Sequence, residues 1–422
     1  MRDGGRLAAA IAVLEDIDSR HKPARLALKA WGDSARYAGA KDRAFVSGLV
    51  LDVLRRRRSL AWRMGDESHR AGTLATLRFA WDWPVDRIAA ATEDEHGPGA
   101  LSEAEEARLA APSSLDEAPD AVRGDYPQWL EPHMTRVFGE ARAAEGEALA
   151  TRAPVDLRVN TLKTDTAHCL KALDPFRPEL AGVLDNAIRI PAPLAADRAA
   201  PVEVAPEFEK GWFEVQDLGS QIAAARAGEI KGAQVLDFCA GGGGKTLALA
   251  AAMDNSGQLY AHDSDARRLT DTVRRSQRAG VRNLQVLSPI HPNVLAGLDG
   301  RMDLVFVDAP CTGSGTWRRH PDAKWRLSGA QLTRRMAEQD AVLSAAAPFV
   351  KRGGRLIYVT CSLFAEENED RIAAFLERAP DFSVQPAVGP AEAFLTPAGF
   401  LRLTPRTAGT DGFFVAVLER EA

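Results

Sequence analysis

From Gly211 onward the chain alternates short, nearly unbroken apolar runs with helical segments: "AQVLDF", "GQLYAH", "NLQVL", "DLVFVD", "RLIYVT" and "FFVAVL". Runs this apolar suit parallel strands covered on both faces by crossover helices, since a sheet with one wet face alternates polar with apolar. The right-handed crossover rule leaves few topologies, and the pattern predicts a doubly wound α/β domain. Ligands of such sheets bind at the carboxyl ends of the strands, so the residues that follow each run carry the chemistry.

The first such edge is "VLDFCAGGGGKT", Val235 to Thr246. Gly244, Lys245 and Thr246 spell the end of a phosphate-binding loop. That loop needs a glycine five positions before Gly244, where the backbone turns to aim its N–H groups at phosphate. Cys239 stands there instead. The next apolar run leads to Asp263, about twenty residues beyond the turn, where an acid in a βαβ unit accepts hydrogen bonds from ribose hydroxyls. A turn of Cys239, Ala240, Gly241, Gly242, Gly243 and Gly244 followed by such an acid fits a dinucleotide and S-adenosyl-L-methionine alike.

Two further edges carry thiols. "LVFVDAPCTGSG" sets Asp308, Pro310 and Cys311 after one run, and "LIYVTCSLFAEEN" sets Thr360 and Cys361 after another. A lone cysteine is usually a small core hydrophobe, but two at equivalent strand ends, each entering a polar loop, point to chemistry. Cytosine explains the need. Its carbon 5 is a poor nucleophile until a thiolate adds to carbon 6, after which it can attack an electrophilic methyl. A second group must then take the carbon 5 proton so that the thiol can leave. Asp308 is placed to stabilise charge on the ring, with Lys245 to orient it.

The rest of the chain reads differently. Residues 1–140 carry helical periodicity, with Phe45, Leu49, Val53 and Leu60 forming one apolar stripe broadened by Leu51 and Leu54. The acidic, Ala- and Pro-rich stretch at about 101–125 reads as a linker. Residues 141–210 hold short strand-like pieces, "VDLRVNTLK" and "AIRIPAP", expected to form a small α+β module. The domain from 211 to 422 is the α/β one. The opening "MRDGGRLAAAIAVLEDID" is interrupted by acids and reads as a helix, not a leader. No apolar run reaches membrane-spanning length. Four scattered cysteines without a CxxC pair favour a reducing cytoplasm, no disulfide framework and no metal site. A net charge of -5 excludes a protein that coats nucleic acid through bulk charge, leaving local patches such as Arg55 to Arg58 and "WRRHPDAKWR". In the latter, Arg318, Arg319, His320 and Lys324 are expected to meet phosphate, and Trp317 and Trp325 either stack on bases or pack the loop. Ser328 and Gln331 form a capping box for the helix that follows, with Leu332, Met336, Ala337, Val342 and Leu343 inward.

The motifs "FEVQDLGSQ", "DFCAGGGGKT", "DAPCTGSGTWRRHPDAKW", "YVTCSLFAEEN" and "DGFFVAVL" cover about half the chain, and they resemble the bacterial Sun (Fmu) and eukaryotic NOL/NOP/Sun RNA cytosine-5 methyltransferases. The resemblance implies a Rossmann-like S-adenosylmethionine-dependent methyltransferase domain, preceded by a small α+β RNA-recognition-like module and an all-α N-terminal NusB-like domain. It implies Cys361 as nucleophile, Cys311 as the cysteine assisting product release, and Asp308 as the acid beside base and cofactor. Cys239 through Lys245 match the cofactor loop, Asp263 the ribose acid and Arg268 a basic position of the next helix. Arg158 and Asn160 become candidate RNA contacts, and the partner is RNA, ribosomal by the N-terminal likeness, bound by a monomer. Two departures stand out. Gly241 and Gly242 replace the family's Ala-Pro, which predicts a looser turn, and Ser288 stands where an acid often lies near the adenine. Competing readings are a transfer RNA enzyme, a non-catalytic RNA-binding assembly factor, an ATP-driven enzyme, and reversed roles for the two cysteines, as in DNA cytosine methyltransferases.

Overall fold

In the computed structural model, which describes residues 1–195, 197, 201–291, 293–386 and 391–422, the stripe of Phe45, Leu49, Val53 and Leu60 is buried. It does not run along one helix. Ala40–Arg55 ends at Arg56, whose backbone leaves the helical region, and Arg57–Met64 starts anew. Leu7, Leu14 and Ile17 of Asp3–Arg20 and Leu74 and Leu77 of His69–Phe79 complete the core. The stretch read as a linker contains the helix Glu103–Ala110, started by a Ser102–Glu105 capping box. Leu109 is fully buried in the same core, so one apolar residue in an acidic run suffices to dock it. These helices form one unit, Met1–Ala153, which also includes Ala192–Ala199 and Thr316–Leu327.

The two basic patches are largely internal to this unit. Arg55 is buried, pairs with Asp52 at 3.2 Å and donates to the carbonyls of Thr151 and Arg318; burial lowers its pKa to about 10. Arg57 pairs with Asp18 at 2.6 Å, and Arg58 donates to Tyr126 O at 3.2 Å. Lys324 is 1% exposed and donates to Arg55 O at 2.7 Å. Trp317 is buried, and Trp325 donates its indole N–H to Leu54 O at 2.6 Å. The expected phosphate contact of Lys324 is therefore overturned, and both tryptophans pack the loop; Arg318 is buried too, while His320 is exposed. A cation that finds a carboxylate or carbonyl inside can be buried at tolerable cost, which a charge run in sequence does not reveal.

The second unit comprises Pro154–Pro191, Ala200–Gly315 and Ser328–Ala422. Its smaller sheet is antiparallel, β1 (Val155–Val159), β2 (Glu179–Leu180), β3 (Ala187–Ile190) and β4 (Phe213–Val215), in the order β2-β3-β1-β4. Leu157, Val159, Ile188 and Phe213 fill its core. Arg158 and Asn160 are not available to RNA: both are buried, because β1 is covered on both faces. Arg158 donates to Gln216 at 2.8 Å, and Asn160 Nδ2 donates to Gly211 O at 2.8 Å and Ala279 O at 2.9 Å, clipping the small sheet to the helix Ala266–Ala279. Glu214 of β4 reinforces that joint, pairing with Arg275 and Arg278 at 2.9 and 2.6 Å.

The apolar runs become the large sheet: β5 (Gln234–Asp237), β6 (Gln258–His262), β7 (Leu284–Leu287), β8 (Met302–Asp308), β9 (Val350–Thr360), β10 (Phe382–Gln385), β11 (Leu401–Leu403) and β12 (Phe413–Arg420). The order is β10-β12-β9-β8-β5-β6-β7, with β11 on β12; β5 to β9 pair in parallel, and β10, β11 and β12 add antiparallel pairs. Successive side chains face opposite layers. Val235, Leu304, Phe306, Ile357 and Val415 pack on Leu218–Ala225 and Gly244–Ala252, whereas Leu236, Val305, Val307, Tyr358 and Phe414 pack on Gly329–Ala346 and Glu369–Arg378. Gly329–Ala346 has the expected capping box, but its inward face is Leu332, Gln339, Leu343 and Ala346, and Ala337 faces solvent.

Burial lowers the Lys324 pKa from 10.5 to about 7, opposed by the nearby Asp125. Between those values the unfolded chain holds a proton that the folded chain lacks, so stability rises with pH there. Thermal melts of the parent and of Lys324→Met should diverge in the parent's favour by a few degrees from pH 7 to pH 9; parallel profiles contradict the buried neutral amine.

Candidate active site

Because β8 pairs in parallel with β9 (Asp308 opposite Val359) and with β5 (Asp237 opposite Phe306), three carboxyl ends lie side by side. The glycine turn leaves β5, the Cys311 loop β8 and the Cys361 loop β9. The structure brings the two cysteines together, with Sγ to Sγ at 3.4 Å, and Lys245 Nζ meets Asp308 Oδ2 at 2.7 Å. Both thiols are half-buried. The Cys311 thiol is held well above its ordinary pKa, first by its hydrogen bond to Cys361, then by burial and by the charges of Cys361 and Glu367. Burial pulls the Lys245 ammonium down, but the charges of Asp308, Cys361 and Asp237 leave it raised overall. Burial pushes the Cys239 thiol up as well.

The glycine turn is tied at several points. Gly241 and Gly243 adopt left-handed backbone (φ 54° and 83°), and a Cβ on Gly243 would meet Thr272 at 2.9 Å. Thr272 Oγ1 donates to Gly241 O at 2.9 Å, and Arg275 donates to Gly242 O at 2.5 Å. Asp263, 3% exposed, accepts from Gly241 N at 2.9 Å and from Asp265 N at 2.8 Å, and pairs with Arg268 at 3.3 Å. The Gly-Gly pair thus stands in a braced turn, where composition alone suggested looseness.

Sequence reading passed over Asp237, the last residue of β5. Thr246 Oγ1 donates to its Oδ2 at 2.6 Å, while its Oδ1 is buried without a partner among the described residues. Burial, opposed by the Thr246 bond and helped by the charge of Asp308, pushes its pKa up to about 7. The signal was there: an acid closing an apolar strand at the ligand edge. Glu367 was also passed over. It is fully buried and accepts from Thr312 N at 2.8 Å and Gln339 Nε2 at 2.9 Å. The mark in "TCSLFAEEN" is an acidic pair six and seven residues past the end of β9, in the short helix Ala365–Glu367.

The sequence signature described as 16S rRNA methyltransferase RsmB/F matches residues 228–419. The probable ribosomal RNA small subunit methyltransferase B of Synechocystis sp. is 32% identical over 304 residues, 70% of this chain and 67% of that protein. The ribosomal RNA small subunit methyltransferase B of Cronobacter sakazakii is 33% identical over 294 residues, 69% of this chain and 66% of its own length. The chain thus spans about two thirds of the length of these relatives. Among solved structures, PH0851 shares the fold over 100% of this chain and 99% of its own, with a TM-score of 0.74 at 24% identity. A methyltransferase homolog protein from Pyrococcus horikoshii covers 72% of this chain with 98% of its own, at a TM-score of 0.59 and 28% identity. A strand edge with paired thiols, a braced glycine turn and relatives of this extent lead to one conclusion: the chain belongs to the RsmB/F family of 16S rRNA methyltransferases.

Proposed function

We propose that the chain methylates carbon 5 of a cytosine in ribosomal RNA through a covalent Cys361 adduct, with Cys311 assisting release. The observation that carries the reading is the 3.4 Å approach of the two sulfurs at the ligand edge of the sheet. The cofactor, S-adenosyl-L-methionine, supplies an electrophilic methyl on a sulfonium. The residues present fit it: the unpartnered, buried Oδ1 of Asp237 can receive an ammonium, and the turn from Cys239 to Lys245 lets backbone approach closely. Asp263, just after β6, and Arg268 of the following helix Ala266–Ala279 are the candidates for its ribose side.

The chain's residues then act in order. The Cys361 sulfur donates its electron pair to carbon 6, and the ring's double-bond pair moves to carbon 5, which takes the methyl. The Asp308–Lys245 pair holds the base edge and balances its charge. Once Cys361 is a neutral thioether, its thiolate charge no longer opposes ionisation of Cys311, although burial and Glu367 still do, and Cys311 gives up its proton to solvent. Its thiolate removes the carbon 5 proton; that bonding pair restores the ring double bond, and the carbon 6 to sulfur bond breaks, returning a thiolate to Cys361. The held-up Cys311 thiol, 3.4 Å from the Cys361 sulfur, supports this division of labour.

Labelled methyl transfer to 16S rRNA, followed by mapping of 5-methylcytosine, tests the reading. Cys361→Ala should form no covalent RNA complex and lose on the order of a thousandfold in rate or more. Cys311→Ala should accumulate a methylated RNA–protein complex on denaturing gels. The opposite pattern assigns the nucleophile to Cys311. Calorimetry should show cofactor affinity rising from pH 6 to pH 8 as Asp237 ionises around its pKa of about 7. Asp237→Asn should flatten that rise and cost roughly tenfold in affinity at pH 8.

A further inference from the structure

We propose that Glu367 is a positioning residue for the release step, holding the Cys311 loop against the Cys361 loop; this rests on the reading above. The two loops leave different strands, and the residue after each cysteine ends on the same carboxylate. Thr312 gives Glu367 both its N–H, at 2.8 Å to Oε1, and its hydroxyl, to Oε2; Ser362 gives its hydroxyl to Oε2. Gln339 Nε2 bridges Glu367 Oε1 and Pro310 O, each at 2.9 Å. The Glu367 backbone is held in turn, its carbonyl accepting the Tyr358 hydroxyl at 2.7 Å. Around this clasp, Gly315 N donates to Cys361 O at 2.9 Å, and Ser314 Oγ accepts from Leu363 N at 2.8 Å.

The clasp bears on one chemical step more than the other. Cys361 reaches carbon 6 and is then bonded to the RNA, so its place on the base is secured covalently. Cys311 has no such bond and must find the adjacent carbon 5 proton from a second loop. Misplacement of a reacting group by about 1 Å costs on the order of a hundredfold. Loosening Glu367 therefore leaves the first bond formation largely intact and slows the second proton transfer. A carboxylate that served packing alone would show no such selectivity between the steps.

The test follows the covalent complex in protein that keeps both thiols. With RNA and S-adenosyl-L-methionine, Glu367→Ala should accumulate the methylated adduct and lose about ten- to a hundredfold in kcat, with KM for the cofactor within about twofold. Glu367→Gln, which keeps an acceptor for Thr312 N and Gln339, should recover most of the release rate. Thr312→Val, which removes one hydroxyl from the clasp, should accumulate adduct to a smaller extent and decides the matter if Glu367→Ala does not fold. Cys311→Ala serves as control. If it traps RNA while Glu367→Ala and Thr312→Val release normally, or lose both steps together, the positioning role is overturned. If Cys311→Ala itself traps nothing, the assignment of the release cysteine fails first.

Discussion

Parallel pairing of β8 with β9 is the constraint on which the site rests. Strands that run together end together, and the register of Asp308 against Val359 delivers both cysteine loops to one edge within reach of each other. Two sulfurs at 3.4 Å are then a matter of loop closure, supplied by a buried carboxylate and its donors. The same geometry holds the Cys311 thiol well above its ordinary pKa, through its hydrogen bond to Cys361 and through burial, since proximity raises the cost of ionising both thiols at once.

Much of this was legible in the residues. The six apolar runs became β5, β6, β7, β8, β9 and β12, because burial on both faces leaves an unmistakable texture, and the polar residues that follow β5, β8 and β9 lie at one edge of the sheet. Asp308, Cys311 and Cys361 needed only that rule. What stayed hidden was contact between distant segments. Gln339 lies mid-helix, and nothing in "RRMAEQDAV" tells that its amide reaches Pro310 and Glu367. Asp237 looked like the end of a strand, and its unpaired oxygen exists only once Thr246 has taken the other. Leu109 docks a helix out of an acidic run that composition marked as unstructured.

Charge misled in a consistent direction. Arg55 and Lys324 stood in basic patches that could meet nucleic acid, Arg158 was a candidate RNA contact by resemblance, and each is buried. Guanidinium and amine side chains are long enough to place their donors on a carbonyl or carboxylate several ångströms away, and the fold gains an oriented brace at the cost of desolvation. Arg158 sits among Glu214, Arg275 and Gln216, where small sheet and helix meet. In a chain with a modest negative charge, a basic cluster is therefore as much a clue to internal joints as to a polyanionic partner.

The segment Thr316–Leu327 belongs to the helical unit although it is encoded nearly three hundred residues later than the helices it braces. Asp322 accepts from Ala24 N across 298 positions, and Lys324 and Trp325 meet Arg55 and Leu54 across 269 and 271. During synthesis at about 5–20 residues per second, the first helices wait on the order of tens of seconds for their last buried tryptophan. The N-terminal third of the chain thus waits for its last bracing segment until the residues just beyond Asp308 have been made.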